Sequence, residues 1–168
     1  MANGKWQMAN GRQRGFGLLE VLLGMAILSV SFFVLFGVAQ STLRVSRING
    51  QSLTANFLLE EGIEALRSVR DDGWTANIAP LSGTRYLSFS TSSSKFTTTT
   101  TPEIINSLFY RSFTIDDVYR DTSTKDIMAT GGILDENTKK FTINVGWRGG
   151  NATTTRSVST YLTNYFND

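Results

Sequence analysis

Along this chain the hydrophobic pattern changes period twice. Residues 16–40 are almost wholly apolar, and residues 21–39 carry no charge. As a helix, that 19-residue stretch spans roughly 28 Å, enough for the hydrocarbon core of a bilayer. Its serines, Ser29 and Ser31, can bond back to helix carbonyls. Gly24 and Gly37 are unusual in a soluble helix and common in a membrane one. From Leu43 the run becomes one-sided. Val45, Ile48, Ala55, Leu59, Ile63, Leu66 and Val69 recur near helical spacing, with Glu60, Glu61, Glu64 and Arg67 on the other face. Arg67 and Arg70 followed by Gly73 form a helix stop signal. The pattern predicts one helix from about Phe16 to about Arg70, apolar all round at first and then amphipathic, with Gly50 as a bend point.

Beyond Trp74 the period becomes that of strands. Tyr86, Leu87 and Phe89 form a short candidate. Phe109, Arg111, Phe113 and Ile115 alternate with Tyr110, Ser112, Thr114 and Asp116. Phe141, Ile143, Val145 and Trp147 give the clearest alternation, and Val158, Thr160 and Leu162 mark a last strand. Gly131-Gly132 and Gly149-Gly150 punctuate these runs. The expectation is an α+β fold: a long N-terminal helix whose second half covers a small antiparallel sheet of about four strands, with Trp74 and Trp147 in the core. Residues 88–101 contain 11 Ser or Thr among 14 positions and read as a solvated low-complexity loop. The organisation is then a leader (1–15), a helix (16–72, with about 18–39 in the membrane) and a β-rich head (73–168).

Composition removes several function classes. The chain has neither cysteine nor histidine, so it has no disulfide, no Cys-based metal site and no imidazole base. The net charge of +2 is not a nucleic-acid footprint. Lys5, Arg12 and Arg14 precede Gly15 and no acid does; without residues 1–15 the chain has 13 basic and 14 acidic residues, a net charge of −1. The remainder shows no basic stripe of the kind nucleic-acid binding needs. Asp116, Asp117, Asp121, Asp126, Asp135 and Glu136 do not follow the EF-hand spacing and read as solvated strand ends and turns. Glu60, Glu61 and Glu64 read as a solvated helix face. Asn151-Ala152-Thr153 matches a glycosylation triplet. No cofactor is expected, and an enzyme is the least supported class.

One residue stands out chemically. Glu20 sits five positions after Gly15, at the lip of the apolar run, where a carboxylate needs a partner. No Lys or Arg follows until Arg44, about six helical turns on. Its candidate partners are a lipid headgroup, a neighbouring chain, or an amine made by cutting the chain. A cut after Gly15 would create such an amine on Phe16.

The stretch Gly15-Phe16-Gly17-Leu18-Leu19-Glu20-Val21-Leu22-Leu23 resembles the class III signal of type IV prepilins and type II secretion pseudopilins, which runs Gly, Phe, then Thr-Leu-(Leu or Ile)-Glu-Val-Leu. The resemblance implies cleavage between Gly15 and Phe16 by a prepilin peptidase, methylation of the Phe16 amine, and pairing of Glu20 with the Phe16 amine of a neighbour. It further implies an inner-membrane precursor, surrounded by lipid before assembly, with its head outside the cytoplasm. An assembly platform would then deliver it into a pilus or pseudopilus, next to other such subunits. Gly17 stands where the family has Thr, and Gly37 near where its major pilins often carry Pro. These departures, and the lack of a C-terminal cysteine pair, point to a minor subunit. Two other readings compete. A Sec-exported protein would be cut after Gly37-Val38-Ala39, leaving Gln40 first. A plain single-pass anchor would have no use for Glu20.

Overall fold

The computed structural model describes residues 17–149 and 152–166. The chain divides into two compact units, Met1–Ser46 and Arg47–Asp168. The longest element is helix α1, Leu18–Asp71. Its first turn closes on Gly17, whose carbonyl accepts the Glu20 N–H at 2.9 Å and the Val21 N–H at 3.3 Å. Its last turn carries Arg70, which complements the negative end of the helix dipole. The chain then leaves the helix at Gly73, whose φ of 130° lies outside the range side-chain-bearing residues favour.

Within the first unit, every described residue is exposed. Three hydroxyls there bond back to the helix itself: Ser29 donates to the Met25 carbonyl at 2.8 Å, Ser31 to that of Ile27 at 2.9 Å and Thr42 to that of Val38 at 3.0 Å. This is the one described helix long and apolar enough to cross a membrane.

The second unit holds the core. Here α1 packs on an antiparallel sheet through Ala55, Leu58, Leu59, Gly62, Ala65, Leu66 and Val69. A one-turn helix α2, Trp74–Asn77, brings the Trp74 indole into the same core. Among the described residues the sheet has seven strands, not the four expected from periodicity. The expected four are present as β1 (Gly83–Ser90), β4 (Phe109–Arg120), β6 (Ile133–Gly149) and β7 (Ala152–Thr163). The additions are β2 (Lys95–Thr99) and two short strands, β3 (Ile104–Ile105) and β5 (Ile127–Met128), both paired with β4. The order is β2-β1-β4-β6-β7.

β2 corrects the reading of residues 88–101 as a loop. Tyr86 to Ser90 pair with Thr99 to Lys95, and Phe89 meets Phe96 edge-on with ring centroids 5.1 Å apart. Threonine is β-branched and suits a pleated strand, and the two phenylalanines give the hairpin its cross-strand contact.

The central strands alternate as their sequences dictate. Phe109, Phe113 and Ile115 of β4 and Phe141, Ile143, Val145 and Trp147 of β6 are buried, while Tyr110 and Asp116 are exposed. A bulge between Asp117 and Val118 shifts the β4–β6 register, and Val118 is buried beyond it. The β5–β6 turn uses Gly131 and Gly132 at φ 77° and 86°. A Cβ on Gly132 would lie 2.7 Å from the Arg120 carbonyl, so no other residue fits there without movement.

Candidate assembly and processing site

Glu20 lies in the first turn of α1, exposed, beside a helix N-terminus whose dipole favours negative charge. Gly17, which departs from the family pattern, precedes the helical residues and acts as the acceptor that starts the helix, so its poor helix propensity does not weaken the interior. Glu20 makes no ion pair with any described residue. From Leu18 onward it is flanked by apolar side chains: Leu18, Leu19, Leu22 and Leu23 are all more than half exposed. Gly15 and Phe16, the expected cleavage and methylation positions, lie outside the described residues, as does the basic leader. The geometry is thus a carboxylate without an ion-pair partner among the described residues, at the mouth of an apolar helix that buries none of its first turns.

Residues 10–36 match a family described as the prokaryotic N-terminal methylation motif. The chain carries the type IV pilin and pseudopilin signature. No curated protein and no solved structure matches it. The motif marks a pilin-like precursor and implies a structural subunit that assembles with other pilin subunits and is handled by a prepilin peptidase. Motif and helix together support anchoring in the inner membrane by a single span.

The head of this pilin-like chain holds a second polar constellation. Arg111 occupies the apolar face of β4 and is 6% exposed. Its guanidinium donates to the Leu58 carbonyl at 3.2 Å and pairs with Glu61 at 3.2 Å. Its methylene stem lies beside Gly62: a Cβ on that glycine would come within 3.2 Å of the Ile143 side chain and 3.4 Å of Arg111 Cδ. The helix is therefore pinned to the sheet by one charge pair and one missing side chain. Glu61 keeps to the exposed face expected from the sequence and pairs with the sheet from there. Glu64 does pair within the helix, with Arg67 at 2.5 Å. Arg111 was visible in sequence as a charge in phase with Phe109 and Phe113. The position of its partner was not.

The head carboxylates serve local structure. Asp117 pairs with Lys139 at 2.5 Å, and Asp72 pairs with Lys95. Asp121 closes a turn by accepting the Ser123 and Thr124 N–H groups at 2.7 and 2.9 Å. The Thr124 and Ser123 backbone hydrogen bonds hold its carboxyl below the usual carboxylate range. Asp135 pairs with Arg120 at 2.6 Å. Burial pushes its carboxyl up, but the Arg120 and Thr138 side chains, the Asn137 N–H and the Arg120 charge outweigh that and leave it lowered. Among the described residues, no three potential metal ligands converge.

Proposed function

We propose that the chain is a subunit of a type IV pilus-like filament, a minor pilin or pseudopilin, cut between Gly15 and Phe16 and methylated on the new Phe16 amine. The observation that carries this reading is Glu20: a carboxylate in the first turn of α1, whose apolar first half is exposed throughout, with no Lys or Arg following it until Arg44. A neighbour's Phe16 amine is a cation that only the cut can make. Pairing the two in an apolar surrounding fixes axial register, whatever its net energy. The exposed apolar helix then has two successive environments, lipid before assembly and neighbouring helices after it. The head lies outside the cytoplasm, because the basic residues before Gly15 keep that end inside.

Coexpression with a prepilin peptidase, followed by mass spectrometry of the N-terminus, tests the processing. The expected product begins at N-methylated Phe16. A chain that keeps residues 1–15, or one that begins at Gln40, would sink the reading. Glu20→Ala tests assembly: the variant is expected to be processed normally but to be missing from the sheared filament fraction.

A further inference from the structure

We propose that the cleft between the β1–β2 hairpin and the segment before β1 is an oxyanion-binding site centred on Arg85. The cleft measures about 330 Å³ and is lined by Leu81, Arg85, Thr98, Thr99 and Thr100. Strand pairing builds it. Tyr86 pairs with Thr99 and Leu87 with Thr98, so Thr100 falls one step further along, beside Arg85. On the other side Arg85 is fixed by its pairing with Phe113 of β4.

Among the described residues the charge of Arg85 is uncompensated. Arg67, Arg70, Lys95, Arg111, Arg120 and Lys139 each have a carboxylate partner. Arg85 has none among the described residues, and its Nε is buried without a hydrogen-bond partner. Arg85 as a whole is half-buried, but a buried N–H left without an acceptor is unfavourable unless an anion completes it. The lining offers no carboxylate, only threonine side chains and one leucine. A planar guanidinium fork with hydroxyl donors beside it matches a sulfate, a phosphate monoester or a carboxylate. The cleft is at the small end of ligand pockets, the size for one charged group and its immediate carrier rather than a large molecule. The threonine run that looks featureless in sequence thus lines one wall of a cationic cleft.

The test uses the full chain in maltoside micelles. Sodium sulfate, phosphate and acetate are titrated separately at constant ionic strength against chloride, and the backbone amides are followed by NMR. The site predicts saturable shifts confined to Leu81, Arg85 and Thr98 to Thr100. Preference for sulfate and phosphate over acetate identifies an ester-type ligand, and the reverse order a carboxylate. Arg85→Met is expected to weaken binding at least about tenfold. Arg85→Lys, which keeps the charge but loses the fork, should fall between. Because Arg85→Met removes a half-buried charge that has no carboxylate partner among the described residues, and keeps most of the stem, its melting temperature without added anion should equal or exceed that of the parent. Shifts that do not saturate, shifts unchanged in Arg85→Met, or a clear loss of stability in anion-free Arg85→Met would each overturn the proposal. The last would make Arg85 a structural residue.

Discussion

Residues 18–46 and residues 55–69 share one helical backbone, yet they treat apolar side chains in opposite ways. In the first stretch Leu28 is 69% exposed and Phe33 79%, and none of its residues is buried. In the second, Leu66 is fully buried, and the contact face mixes Leu58, Leu59, Leu66 and Val69 with the small residues Ala55, Gly62 and Ala65. A helix that is apolar all round requires an apolar solvent, whereas a striped one requires a partner surface. The comparison teaches that helix propensity alone does not divide this chain. What divides it is where each stretch finds cover: the second from its own sheet, the first from outside the chain.

That division can be attacked directly. The largest effect should come from Leu66→Ala, which opens a cavity in the core and should lower the stability of the head by about 2–5 kcal/mol. The same change at exposed Leu28 should leave head unfolding within about 0.5 kcal/mol of the parent. Urea unfolding of the full chain in micelles, followed by tryptophan fluorescence, reads both. A Leu28→Ala effect as large as that of Leu66→Ala would abolish the distinction.

Glycines sharpen it next. Gly62→Leu forces a side chain against Ile143 and Arg111 and should destabilise the head by about 1–3 kcal/mol. Gly24→Leu meets no neighbour and should leave the same unfolding curve unmoved. A smaller asymmetry concerns the charge that pins helix to sheet. Glu61→Gln leaves the buried Arg111 guanidinium without its counter-charge. Because Glu61 is itself half exposed, the loss should be about 1 kcal/mol. Arg111→Met removes the buried charge altogether and should be close to neutral. Equal losses in the two variants would mean that the pair acts through geometry alone.

The smallest effect is acid sensitivity confined to the head. Asp135 has a lowered carboxyl in the folded state, so its stabilising contribution is complete above the ordinary carboxylate value of about 3.9 and is lost as pH falls towards the folded value. Asp121 acts in the same direction. Asp135→Asn should therefore flatten the acid limb of a melting-temperature profile and leave its shape above pH 5 unchanged.

The two large divisions of the fold were legible because the period of the pattern changes where the structure changes. The buried face of β4 and that of β6 could be read residue by residue. Other features were hidden for physical reasons. Leu58, Gly62 and Ala65 face the sheet, but two of them are too small to register as a hydrophobic stripe. β3 and β5 have two residues each, too short for an alternation to repeat. The β2 threonines looked like a loop because low complexity masks β-branching. The bulge after Asp117 reverses the phase of β4 inside a stretch that otherwise alternates. For the candidate site, Glu20 was legible because nothing else interrupts the apolar run around it, whereas the pairing of Arg111 with Glu61 depends on a contact between residues 50 positions apart.

Trp74 and Trp147 are each only 3% exposed, both in the core of the head. The chain has three tryptophans, and the third, Trp6, precedes Gly15. The cleavage proposed there would remove one indole in three and leave only the two that sit in an apolar interior. Maturation by that route would therefore carry an optical signature of its own: a fall in absorbance per chain, after which all the remaining tryptophan emission would report on the head.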